Sequence, residues 1–431
     1  MNKSLRYGIL AVGFLAFLIL APLAIFYVRG LTYNFATGQF VQTGILGVRS
    51  QPADAQIFLN GKLIKSKEGD IKFLTPGEYD LTLRKAGYSP WEKRLSVLPG
   101  QVTWANPEAA KVYLFFDHPT AVIVPGVIAA SDINSNGNLF YLTAENLNLI
   151  SIVQPDQSQN WTLPGPATDL AVSPDGTQVI ISASSSAASW YFRLGDNHFF
   201  DLSSLRLINP KWQFSANGNL YALSSGNLYA VDPAAGQATL WQKNIFAATD
   251  TGGGLYALVK TATGLDFKFF ADPRGEVSQT ILSGLPEFRQ AQIFVSLDKQ
   301  AFILADGNLY QAGSQLLPLA AQVSSWDFDA SASSLIFSHT GELDYFNPFT
   351  GEVDFITRRA ELMNNPLLQL ELDYAFFNSH TQVSALELDP RGRQNEYLLY
   401  QGDNIKKISL DQPGKTLAVL DGQQLKLITI R

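Results

Sequence analysis

Three regimes of hydrophobic patterning follow one another along the chain. From Tyr7 to Val28 (YGILAVGFLAFLILAPLAIFYV) the residues are uncharged and apolar at every helical angle, which predicts a helix that water does not accept as an exposed element. At about 1.5 Å per residue such a helix spans the roughly 30 Å hydrocarbon core of a bilayer. Pro22 predicts a kink within it, because membrane spans tolerate proline where other groups satisfy the freed carbonyl. After an uncharged, turn-rich spacer the period falls to two. Ile45 to Arg49 alternates, Gln56-Ile57-Phe58-Leu59 runs into Asn60-Gly61, and Tyr79 to Arg84 alternates again. An Asn-Gly pair between alternating runs is a strong hairpin signal, so a small antiparallel sheet is expected.

From Lys111 onward the sequence becomes self-similar at a period of about forty, each unit carrying an aromatic or apolar pair, a polar turn, a strand, a second turn and a second strand. Leu170 to Ile181, with the turn Ser173-Pro174-Asp175-Gly176, and Trp212 to Leu223 are the clearest copies. Looser ones lie at Asp132 to Leu139, Thr249 to Leu255, Phe294 to Asp298, Trp326 to Ser331, Phe376 to Thr381 and Ile408 to Gly414. Gly226-Asn227-Leu228-Tyr229, Gly307-Asn308-Leu309-Tyr310, Gly341 to Tyr345 and Gly422 to Leu425 open the later strand. Helical periodicity is essentially absent. Four short strands per unit with glycine turns describe β-propeller blades. Eight are expected, or seven, with a β-sandwich series as the weaker alternative. The last unit shows three strands before Arg431, and Thr120 to Val124 is expected to supply the fourth, which would close the ring and remove its free edges. The fold class is thus all-β, divided as a short N-terminal segment (1–6), an anchor (7–28), a spacer (29–43), a small β domain (44–110) and the repeat array (111–431).

Two segments resemble known families. Val48-Arg49-Ser50-Gln51-Pro52-Ala53-Asp54-Ala55 continuing to Lys62, then Thr75-Pro76-Gly77-Glu78-Tyr79, then Lys85-Ala86-Gly87-Tyr88-Ser89-Pro90-Trp91, resemble a PEGA domain over about Thr43 to Ala105. Pro76-Gly77-Glu78-Tyr79 departs from the eponymous tetrapeptide. The resemblance implies a β-sandwich-like surface module of bacterial envelope proteins, with no catalytic residues. On the residues alone, Pro76-Gly77 is expected to form a type II turn, and Tyr88 and Trp91 to be core aromatics. The array resembles Tol-system envelope propellers, with Ser173 to Gly176 matching their inner-strand turn. Leu228 to Trp241 looks like one tryptophan-docking repeat of quinoprotein dehydrogenase propellers, and Tyr345 to Glu352 like part of another. In that family the repeat packs neighbouring blades, so it implies a blade and no cofactor.

Charge refines the picture. Lys3 and Arg6 precede the apolar run, and after Arg29 no charge follows until Arg49, so the positive-inside rule puts the N-terminus in the cytoplasm and the rest outside. A cleaved signal peptide is the rival, but its apolar core is usually about 7–15 residues and ends at small residues, whereas this run ends in Ile25-Phe26-Tyr27-Val28. The absence of cysteine excludes an acylated lipoprotein, disulfides and thiolate metal sites. Nine Lys or Arg against seven Asp or Glu in Gly44–Ala110 give +2, and nineteen against thirty-one from Lys111 onward give −12. An array that acidic repels nucleic acid.

Catalytic chemistry leaves no linear trace. His118, His198, His339 and His380 each stand alone in sequence, and no H-E-x-x-H or G-x-S-x-G occurs. Asp175, Asp298, Asp329 and Asp411 occupy the repeated turns, where a carboxylate accepts backbone hydrogen bonds; none has the spacing of a calcium loop. Ser182 to Ser189 reads as a loop, and Arg358-Arg359 and Lys406-Lys407 as solvated surface. No catalytic, cofactor-binding or metal-ligating residue is therefore assigned. The expectation is a non-enzymatic, single-pass membrane protein whose PEGA-like module and acidic propeller bind a protein or envelope glycan outside the cell membrane. An envelope hydrolase or lyase using loop-borne carboxylates is the alternative, since acid–base pairs leave no motif. A sensor comes third, because six residues before Tyr7 hold no signalling domain.

Overall fold

The computed structural model describes residues 3–431 except 29, 35–37, 66, 157, 184–188, 273, 276 and 331. The chain forms two units, one of Met1–His118 with Leu370–Tyr374 and Leu386–Tyr397, the other of Pro119–Gln369, Ala375–Ala385 and Leu398–Arg431.

The first unit begins with the helix Lys3–Val28, which contains Pro22. Leu10, Val12, Phe14, Phe17 and Leu20 on it are all more than half exposed. Its longest unbroken stretch of described side chains is 12–22, and among the described residues no helix is long and apolar enough to cross a membrane. The spanning helix expected over Tyr7–Val28 is therefore not established, because the described part of it is too short. The spacer is more regular than expected. Leu31–Asn34 and Gln39–Gln42 pair antiparallel, Leu31 opposite Gln42.

Beyond it, besides the two-stranded pair of Ser50–Gln51 with Val112–Tyr113, lie two small sheets. One orders Lys62–Lys65, Gln56–Leu59, Gly77–Arg84 and Trp91–Val97, and the other Val102–Trp104, Gly44–Val48 and Gly69–Leu74. Strict alternation along Trp91–Val97 turns Trp91, Leu95 and Val97 onto Ile57, Leu81 and Leu83 of its own sheet and Leu46, Val48 and Ile71 of the other. This is the buried face that a period of two predicts. The Asn60-Gly61 hairpin is present, with φ of 49° and 75° as a type I′ turn requires. Two expectations need correction. Gly77, at φ 154°, opens the strand Gly77–Arg84 instead of completing a type II turn, and two of the pairings, Val102–Trp104 on Gly44–Val48 and Val112–Tyr113 on Ser50–Gln51, are parallel.

From Thr120 to the end, the described residues form eight four-stranded sheets in sequence order. Thr120–Pro125 completes the eighth by pairing with Gln424–Thr429, as expected. Buried clusters join first to second, second to third, third to fourth, fourth to fifth and fifth to sixth sheets. Asn365 N donates to Ser325 Oγ (2.8 Å) between the sixth and seventh, and Gln369 Nε2 to Gln412 O (3.0 Å) between the seventh and eighth. A cluster of Ile133, Leu139 and Tyr141 with Ala418, Leu420 and Leu427 joins the eighth to the first, so the packing order is cyclic.

Seven of the eight repeated turns join the first two strands of a sheet. In the seventh sheet that position belongs to 370–373, between Asn364–Gln369 and Tyr374–Asn378. The unit placed at Phe376–Thr381 straddles the next turn, one strand late, because its aromatic pair Phe376-Phe377 lies on the second strand. Within Ser182–Ser189 the ends belong to strands Gln178–Ala183 and Ser189–Arg193, and 184–188 lie outside the described residues.

Candidate binding cleft

The first strands of the sixth, seventh and eighth sheets are Val323–Asp329, Asn364–Gln369 and Ile405–Leu410. Together with Asp132 and Ile133, which follow the first strand of the first sheet, they line a cleft of about 460 Å³. Neighbouring sheets cross-brace it: Ile133 N donates to Ser409 Oγ (2.8 Å) and Asn365 Nδ2 to Lys406 O (3.1 Å). Lys407 Nζ bonds Ala130 O (3.2 Å) and pairs with Asp132 Oδ1 (3.1 Å). Lys407, expected to be solvated surface, thus lines the cleft, with its side chain 35% exposed. The repeat brings it there, since corresponding strands of successive sheets converge on one place.

Asp327 is the most perturbed group in the cleft. Enclosure by protein, then the charge of Asp132, push its carboxyl up to about 6, against a smaller downward pull from Lys407. The cleft thus presents an acid raised toward neutral pH, the exposed Asp132 side chain and the Lys407 amino group, with Trp326 as an apolar wall.

A second concentration of charge lies inside the first unit. Lys93 stands on the inward face of Trp91–Val97, and its side chain is fully buried. Its Nζ meets Glu387 Oε1, Asp389 Oδ2 and Asp389 O, each at 3.0 Å. Trp91 Nε1 donates to Glu387 Oε1 (3.0 Å) and Asn395 Nδ2 to Glu387 Oε2 (2.7 Å). Arg391 clamps Asp389 and reaches the Trp104 and Ala105 carbonyls. Burial alone would raise Asp389, but Arg391 and Lys93 outweigh it and hold the group below its ordinary range. Asp373, accepting from Asn106 Nδ2 (3.1 Å), goes the other way. Burial and then Glu387 and Asp389 push it up to about 7. Trp91 is therefore a core aromatic, as expected, and a hydrogen-bond donor too. Tyr88 is partly buried against that core and stacks on Phe116 at 4.6 Å.

The turn aspartates behave as their chemistry predicts. Asp175 accepts from Thr177 N (3.1 Å), Asp329 from Ala332 N (3.1 Å) and Asp411 from Thr416 N (2.8 Å). Asp298 accepts from the Ser296 and Ser333 hydroxyls, which hold it below its ordinary range. Trp241, from the tryptophan-docking segment, packs on the cluster shared by the third and fourth sheets, with its ring 4.8 Å from Tyr221. His118, His198 and His380 are exposed. His339 is not alone, because Glu342 and Asp344 lie beside it. The signal was present in sequence as H-x-x-E-x-D, but it becomes legible only when Thr340-Gly341 is recognised as a two-residue turn.

Residues 43–111 match the PEGA domain. Among solved structures the chain resembles the C-terminal WD40 domain of Sif2 (11% identity, 73% of this chain and 98% of that one, TM-score 0.52). It also resembles the Dos1 propeller (10% identity, 71% of this chain and 92% of that one, TM-score 0.50). At such identities the likeness concerns fold alone, and the fold it supports is propeller-like. No curated protein matches the chain.

Proposed function

We propose that the chain is a membrane-anchored binding or scaffold protein in which a PEGA module and an eight-bladed acidic propeller present a docking surface outside the cell membrane to a protein or an envelope glycan. The cleft around Asp132, Asp327 and Lys407 carries this reading. It gathers polar and apolar groups from four sheets at one place, as binding sites on repeat rings do. The anchor is the helix Lys3–Val28, whose described apolar side chains are uncovered. Its orientation follows from Lys3 and Arg6, and the uncharged stretch beyond Arg29 supports an outward C-terminal end.

Crosslinking in cells followed by capture of the tagged full chain tests the binding role. One discrete partner, lost in a double variant Asp132→Lys and Lys407→Glu, is the expected result. Recovery of the same set of proteins from wild type and variant would sink it. A reporter fused after Arg431 tests the topology and should be active only outside the cytoplasm.

One observation favours a second reading, an envelope hydrolase or lyase: Asp327, raised to about 6, sits in one cleft with the exposed Asp132. A carboxyl raised by its surroundings beside a second, solvent-exposed acid is the kind of pairing that acid–base cleavage uses. Asp327→Asn separates the two readings: under the second the wild-type chain cleaves a glycan or peptide and the variant does not, whereas under the first neither chain shows turnover and the change alters only partner capture.

A further inference from the structure

We propose that His339, Glu342 and Asp344 form a binding site for a first-row divalent cation of the zinc type. They occupy one hairpin of the sixth sheet, Ser334–His339 and Glu342–Asn347. His339 pairs directly with Glu342, and Phe337 with Asp344. The turn between them has φ of 46° at Thr340 and 82° at Gly341, and a Cβ on Gly341 would lie 2.6 Å from Arg359 O. Glycine is required there, so the register is set. With a side-chain period of two, His339, Glu342 and Asp344 share one face, and one ligand atom from each lies within 4.8 Å of the others. His339 Nε2 is 2.7 Å from Asp344 Oδ2 and 3.6 Å from Glu342 Oε2.

Asp344 supplies the independent reason for a cation. The residue is 7% exposed, and its Oδ1 is buried without a hydrogen-bond partner. The contact with His339 Nε2 engages Oδ2 alone. A buried carboxylate with an idle oxygen carries a desolvation cost that a metal ion would remove. The surroundings are built to hold the set. Arg358 pairs with Glu342 Oε1 and leaves Oε2 turned toward His339. Phe337 and Phe346, both fully buried, form an apolar floor on the same face, where electrostatic attraction is weakly screened. One imidazole nitrogen and two carboxylates, with no sulfur, match zinc and its neighbours. Calcium and magnesium prefer six or more oxygens and fit poorly. Three protein ligands leave a coordination position for water.

The test uses the full chain without a histidine tag, stripped with chelator and titrated with zinc in a calorimeter. One equivalent should bind, and His339→Gln and Asp344→Asn should each weaken it about tenfold or more, while His380→Gln binds like wild type. Absence of saturable zinc binding by wild type, equal affinity in His339→Gln, or equal affinity for calcium and zinc would each overturn the assignment. Should a variant fail to fold, cobalt added to wild type decides. A visible absorption band that saturates at one equivalent and is displaced by zinc supports the site, and a featureless spectrum overturns it.

Discussion

Lys93 in the first unit and Lys407 in the second each neutralise aspartate, in opposite surroundings. Lys93 is fully buried, and so is Glu387 beside it, whereas the Asp132 that meets Lys407 is 69% exposed. In the first case every charge depends on its protein partner because water cannot replace it. In the second, solvent already does much of the screening. The contrast separates charge that holds a fold together from charge left available to a ligand, and Asp373 and Asp327 repeat it. Both are raised, Asp373 to about 7 and Asp327 to about 6. Asp373 is enclosed at 3% exposure, while Asp327 opens onto a cleft.

Replacing Lys93 by Met should break the contrast most severely. It strands Glu387 and Asp389 in the interior, and chemical denaturation of the full chain should register a loss of about 3–5 kcal/mol. Adding Glu387→Gln to that variant should cost less than the sum of the two single changes, because the pair acts as a unit.

The next effect is pH-dependent, and its sign is fixed by the direction of the shifts. An aspartate raised to about 7 in the folded state keeps its proton where the unfolded chain, with a value of about 3.9, has released it. Stability therefore falls as pH rises from about 4 to 7 and levels off above that. Asp373→Asn should remove this component, so that the variant gains on wild type across the window, by at most roughly 4 kcal/mol at its upper end. The corresponding gain for Asp327→Asn should be smaller and complete by about pH 6. Denaturation midpoints at several pH values, read as variant minus wild type, measure both. If Asp373→Asn tracks wild type at every pH, the enclosure argued for that carboxyl is wrong.

The smallest effect belongs to Lys407→Met. Its partner is largely solvated, so stability should change by no more than about 1 kcal/mol, while capture of a partner at the cleft should fall. A large loss of stability would place Lys407 with Lys93 and erase the distinction between the regions.

Much of the architecture was legible because it is local. The Asn60-Gly61 hairpin, the alternation of Trp91–Val97 and the Ser-Pro-Asp-Gly turn at 173–176 each express a preference of a few consecutive residues. The strand Thr120–Pro125 was identified from a count of strands missing elsewhere, a rule of ring closure. The sites were not legible in the same way. Lys93 reads as one more charge in an alternating strand, and nothing near it in sequence announces Glu387 or Asp389. His339, Glu342 and Asp344 fall within six residues, yet helical or irregular spacing would scatter them, and only the turn at Thr340-Gly341 lines them up.

Local periodicity and turn chemistry in the sequence determined the all-β class and the repeat, since strand faces and tight turns depend on neighbours a few residues away. Tertiary structure alone decided which carboxylates stay ionised, which lysine is enclosed and where a cleft opens. Those properties depend on dielectric surroundings and on partners that the chain supplies from hundreds of positions away.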